Sequence, residues 1–147
     1  MPYTQTSSVQ VMADKNLVLS VNAGSSSLKI SLFQVTQSST TTKQAESVQL
    51  LLTSSISGIS SPPAKFSFKS ESKNGLSIKN KEVTSIKDHA TAFAHFLECL
   101  QSQASIDRKR IRYLCHRVVH GGDYTEPIEI TEESYHHIET LSDLAPL

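Results

Sequence analysis

In NLVLSVN, residues 16–22, side-chain character changes at every second position. Leu17, Leu19 and Val21 share one face, and Val18, Ser20 and Asn22 the other, which is the period of a strand. LKISLFQV, residues 28–35, repeats the pattern, with Leu28, Ile30 and Leu32 on one face and Lys29, Ser31 and Phe33 on the other. Only AGSSS separates the two segments, and its glycine suits a tight loop. A β-hairpin is therefore expected.

Further along, TQSSTTTK has no period and reads as a polar turn, and SVQLLLTSSI reads as a third strand. SGISSPP interrupts the chain, because Pro62 and Pro63 cannot continue a central strand. AKFSFKS and GLSIKN flank Asn74-Gly75 and predict a smaller hairpin, with Asn-Gly supplying the positive φ angles of a primed turn. Ile86, Ala90, Phe93, Leu97 and Leu100 form one helical stripe, and Ser85 with Asp88 resembles its capping box. IRYLCHRVVH predicts a strand ended by Gly121-Gly122. TEESYHHIETL predicts a second helix, capped by Thr131, with Glu132 and Glu133 at the positive end of its dipole. Three strands, a minor hairpin, a helix, a strand and a helix make an α/β layer arrangement. Residues 1–15 read as a polar extension and 16–147 as the folded unit.

Composition adds limits. The chain has 147 residues, with 14 basic against 14 acidic and a formal net charge of zero. That balance argues against a broad, sequence-independent nucleic-acid surface. No apolar run is long enough to span a membrane, and the N-terminal stretch lacks the apolar core of a secretory signal. Cys99 and Cys115 lie in segments expected to be buried and read as reduced core thiols. A cytoplasmic protein is the expectation.

Two short segments carry candidate chemistry. In VNAGSSSLKISLF, backbone N–H groups of a tight turn can form an anion nest, serine hydroxyls add donors, and Lys29 adds a point charge. Asn22 offers a neutral oxygen to Mg²⁺ or its water shell. A strand follows the loop where a Walker loop has a helix, so an ordinary polar hairpin turn is the competing reading. In HRVVHGGD, the strand period puts Arg117 and Val119 on one face, a cation beside a small apolar residue. That pairing suits a short-chain carboxylate; a salt bridge to a neighbouring acid is the alternative. His116 and His120 share the other face, as a metal pair or as hydrogen-bonding partners of nearby loops. His136 and His137 read as solvated surface residues.

Together these residues carry a resemblance. VLSVNAGSSSLKISLF resembles the opening motif of the acetokinase family, the acetate kinases, and HRVVHGG followed by ITEESYHHIETLSDLAPL resembles its second signature, in the same order. The resemblance implies the ribonuclease H-like α/β fold of the acetate and sugar kinase/Hsc70/actin superfamily, here the first domain only, with a truncated end. It implies ATP and acetate giving ADP and acetyl phosphate, with Mg²⁺, and a homodimer for full-length members. By matching position, the magnesium contact falls on Asn22. The nucleotide-phosphate contacts fall on Lys29, Ser25 and Ser27, and the acetate contacts on Arg117, Val119 and Leu147.

Two departures accompany the match. Cys115 stands where the family usually has glycine. The sequence ends at LAPL, where the family continues into a C-terminal portion holding the catalytic aspartate, the transition-state histidine and arginine, an acidic metal contact and the adenosine pocket. No catalytic residue is therefore assigned within this chain. It is expected to be an N-terminal fragment with negligible turnover alone. The alternatives are a propionate or butyrate kinase of the same family, and a non-catalytic shortened homologue acting as a binding module.

Overall fold

The two alternating segments pair as their faces require. A computed structural model describes residues 15–38 and 45–141. Residues 1–14 of the expected extension lie outside the described residues, and Lys15 already belongs to the first strand. Strand β1 (Lys15–Ala23) and strand β2 (Ser27–Ser38) form an antiparallel hairpin that sets Leu19 opposite Leu32, Val21 opposite Ile30 and Asn22 opposite Lys29. Strand β3 (Ala45–Ser57) follows antiparallel to β2. Its register shifts beside Leu32 and Phe33, which pair with Leu52 and Leu50. The Leu50-Leu51-Leu52 run is thus a bulge, and Leu52 alone of the three turns fully inward.

Strands β4 (Ala64–Ser70) and β5 (Ser77–Val83) make the smaller hairpin. Its link is not the expected primed turn, since neither Asn74 nor Gly75 has a positive φ. The Gly75 N–H donates to the Ser72 carbonyl at 2.8 Å, which places the glycine last in a four-residue turn. A Cβ on Gly75 would lie 2.6 Å from the Ser70 carbonyl oxygen, so close approach is what requires glycine.

Helix α1 (His89–Ala104) starts later than the expected cap at Ser85. Asp88 is the N-cap: its carboxylate accepts from the Thr91 N–H at 2.7 Å, and the Thr91 hydroxyl accepts from the Asp88 N–H at 3.0 Å. Of the expected stripe, Ile86 and Leu100 are fully buried and Phe93 and Leu97 partly so, joined by buried Ala92 and Phe96, while Ala90 is exposed. Phe96 packs against Phe68, and the His95 ring meets the Phe66 ring edge-on at 4.7 Å. This face buries Leu17, Leu19, Val21, Leu28, Ile30, Leu32, Leu52, Ile56, Phe66 and Phe68 as one core.

The helix returns the chain along the sheet. His89 lies beside Gly24 at one end, and Gln103 and Ala104 lie near Leu50 and Gly75 at the other. After one 3₁₀ turn, Arg108–Arg110, strand β6 (Ile111–His116) therefore runs parallel to β1. The sheet order is β5-β4-β3-β2-β1-β6. The strand stops at His116, four residues before its expected end, and 117–120 are loop. Helix α2 (Glu132–Thr140) is capped by Thr131 as expected. His136 approaches Glu139 at 3.3 Å, while His137 is half-buried against Tyr124, so only the former is a plain surface residue.

Helix α1 shares one core with β1 to β4 and leaves β6 uncovered. Tyr113 is 57% and Leu114 55% exposed. Cys115 is exposed too, which corrects the expectation of two core thiols; Cys99 is half-buried, and burial pushes its thiol pKa up. No helix among the described residues is long and apolar enough to cross a membrane.

Candidate functional site

The loop between β1 and β2 is braced from two sides. The Gly24 N–H donates to the Ser27 carbonyl at 2.8 Å and closes the turn. From the β3–β4 connection, the Ile59 N–H donates to the Ser26 carbonyl at 3.1 Å, the Ser60 N–H to the Ser26 hydroxyl at 3.1 Å, and the Ser60 hydroxyl to the Ser25 carbonyl at 3.4 Å. From the first turn of α1, His89 Nε2 lies 2.6 Å from the Gly24 carbonyl oxygen. The Gly24, Ser25 and Ser26 carbonyls thus meet donors of the scaffold, and the Ser27 carbonyl meets the loop's own Gly24 N–H. Carbonyl dipoles repel anions, so pairing all four with donors keeps unpaired acceptors away from a ligand at the loop. A Cβ on Gly24 would sit 2.7 Å from Ser27 Oγ, so glycine leaves room for that hydroxyl.

The second cluster reaches the same place. The Arg117 N–H donates to the Val21 carbonyl at 3.2 Å, which extends the β1–β6 pairing one residue past the strand. Arg117 therefore lies beside the end of β1, next to Asn22, and Asn22 lies opposite Lys29. Asn22 is half-buried, and Lys29 and Arg117 are exposed. The carboxyl ends of two parallel strands and the hairpin loop meet here, where open α/β sheets bind ligands. Arg117 belongs to neither ion pair found among the described residues, Lys69–Glu71 and His136–Glu139.

Other expected residues fare differently. Val119 lies in the loop after Arg117 and is 60% exposed, so no pocket wall forms around it among the described residues. Leu147 lies outside the described residues. His116 is exposed on β6, and His120 Nδ1 accepts from the Gly122 N–H at 3.2 Å. No three His, Cys, Asp or Glu side chains converge as a metal cage among the described residues. Asn22 is a single neutral oxygen beside serine hydroxyls. That set fits Mg²⁺ carried in by nucleotide phosphates and largely hydrated, not an ion caged by protein.

Two concavities lie elsewhere on the sheet, the second sharing Lys29 with this cluster. One, of about 360 Å³, lies at the far end of the sheet between Leu50, Gly75 and Ala104. The other, of about 480 Å³, crosses the open sheet face from Lys29 past Ser31, Thr53 and Ser55 to Lys79. Neither includes Asn22 or Arg117, and the hydrogen-bonded convergence at the end of β1 locates the candidate site better than hollow volume does.

Residues 17–147 match the family model of the Acetokinase family. The chain belongs to the acetokinase family. A probable acetate kinase of Chaetomium globosum is 40% identical over 138 residues, covering 90% of this chain and 28% of that relative. The crystal structure of Porphyromonas gingivalis acetate kinase superposes with a TM-score of 0.68 at 26% identity, covering 90% of this chain and 31% of that one. A propionate kinase from Francisella tularensis superposes with a TM-score of 0.65 at 28% identity, covering 90% and 30%. The chain spans about 30% of the length of the family members it matches, an N-terminal portion with the fold of their first domain. The family is one of kinases, a class of phosphotransferases.

Sequence reasoning missed three bracing residues of this acetokinase loop: Ser26, Ser60 and His89. Ser60 and His89 lie 34 and 65 positions from their loop partners. Pattern within a strand or helix carries no signal for contacts of that separation.

Proposed function

We propose that this chain carries one wall of an acetate kinase site, for Mg²⁺-dependent transfer of the γ-phosphoryl group of ATP to acetate, giving acetyl phosphate and ADP. The observation that carries the reading is the Arg117 N–H to Val21 carbonyl bond, which sets the candidate acetate cation against Asn22 and the serine loop. In the reaction an acetate oxygen attacks the γ-phosphorus while the bond to the β–γ bridging oxygen breaks, and ADP leaves. Acetate is already ionised at neutral pH, so no strong general base is needed. The task is to bring two anions together and spread the transferring charge.

The residues divide that task. Arg117 pairs with the acetate carboxylate in a fork, and Val119 and Leu147 bound its methyl group. Ser25, Ser27 and Lys29 hold nucleotide phosphates. Asn22 contacts Mg²⁺ through its amide oxygen or a bound water, and the ion when bound neutralises phosphate charge. ATP and acetate as substrates, and unpaired thiols, suit work in the cytoplasm, with a homodimer for the full-length enzyme. Exposed Val119 and uncovered β6 support a half-site that does not turn over alone. The test is acetate-dependent ADP formation by the purified chain. Background rates are expected; turnover at ordinary kinase rates, roughly 1–100 per second, would overturn the half-site reading.

Propionate is the second reading, favoured by the likeness to a propionate kinase. One extra methylene is discriminated weakly by an apolar pocket. Displacement of bound acetate by propionate at equal or lower concentration would favour it.

A further inference from the structure

We propose that His89 is a positioning residue for the phosphate-side loop, acting through the carbonyl of Gly24. The inference rests on the proposed phosphate role of that loop but makes a claim of its own about what shapes it. A carbonyl oxygen can only accept, so at 2.6 Å the His89 Nε2 must carry the proton. Both the neutral Nε2–H tautomer and the imidazolium meet that need.

The base of the contact is rigid. His89 is the first residue of α1, directly after the N-cap. The Thr91 hydroxyl accepts from the N–H groups of both Lys87 and Asp88, at 2.9 and 3.0 Å, and donates to the Asp88 carboxylate at 2.8 Å. A reciprocally closed first turn leaves the imidazole little freedom of approach. The ring is half-buried, where a hydrogen bond is less diluted by water.

The target is the loop's entry. The braces from residues 59 and 60 act on Ser25 and Ser26, and α1 reaches Gly24 through His89. Without it, the Gly24 carbonyl can rotate outward and turn an acceptor toward the phosphates. Glycine offers little steric resistance to that rotation. His89 touches no nucleotide in this account; it keeps a repulsive dipole pointed at the scaffold.

The test uses His89→Ala and His89→Gln on this chain, because a glutamine Nε2 can take the place of the imidazole Nε2–H. Amide exchange at Gly24 and Ile59, whose N–H groups close and brace the loop, is expected to quicken about threefold to tenfold in the alanine variant, matching one net hydrogen bond. Exchange at Leu100 should stay unchanged, and the glutamine variant should restore the loop. Weakened Mg²⁺–ATP binding should follow the same order. Unchanged loop exchange in the alanine variant overturns the proposal, and so does loosening that glutamine fails to repair. If the alanine variant does not fold, ¹⁵N spectra of the unmodified chain still decide: an Nε2–H imidazole supports the contact and an Nδ1–H tautomer overturns it. ATP that fails to bind the unmodified chain removes the phosphate role, while loop exchange judges the His89 contact separately.

Discussion

Gly24 separates folding from binding at a single position. An added Cβ would meet Ser27 Oγ at 2.7 Å, and that hydroxyl can swing aside. Gly24→Ala should therefore melt close to the unmodified chain yet bind Mg²⁺–ATP more weakly, measured by paired thermal unfolding and calorimetry; equal affinity would remove Ser27 from the phosphate site. Phe96 is the opposite case, fully buried between the sheet and α1. Phe96→Ala should cost about 3–5 kcal/mol in urea unfolding. Acid sensitivity also has named sources. Burial holds His95 below its ordinary 6.5, and the Thr91 N–H and hydroxyl hold Asp88 below 3.8. Both groups bind protons more readily when unfolded. Each contributes stability that is present above its unfolded value and lost as pH falls toward and through its folded one. His95→Leu should flatten the fall in melting temperature that begins below about pH 6.5, and Asp88→Asn the further fall below about pH 4. Unaltered profiles would reject these assignments.

Among elements, β6 and α1 respond differently to reagents. Cys115 on β6 is exposed, whereas burial on α1 raises the Cys99 thiol pKa. Ellman's reagent should consume Cys115 first by a wide margin; equal rates would mean that β6 is covered in solution. The same elements explain what was legible in the sequence. β1 and β2 alternate cleanly because one face packs on α1 and the other is open, so period two survives intact. The α1 stripe was legible but its start was placed early, because Ser85–Asp88 and Asp88–Thr91 both lack the usual Glu or Gln of a capping box and the pattern does not choose between them. The end of β6 was overread, since apolar Val118 and Val119 resemble strand continuation although their surface is exposed. An uncovered apolar segment and a buried one look alike in sequence.

At the scale of the whole molecule, the sheet gathers two separated signatures. Parallel pairing of β1 with β6 brings residue 117 beside residue 22, and the hairpin brings residue 29 opposite. The signatures were legible one by one, and their meeting depends on α1 returning the chain the length of the sheet. The proposed roles stand on that convergence. Its most direct test is a ¹H–¹⁵N NMR titration of the chain with Mg²⁺–ATP and then acetate. The account predicts shifts at Asn22, Ser25, Ser27 and Lys29 with nucleotide, and at Arg117 and Val119 with acetate. Shifts confined to the open-face groove at Thr53, Ser67 and Lys79, or no shifts at all, would contradict it.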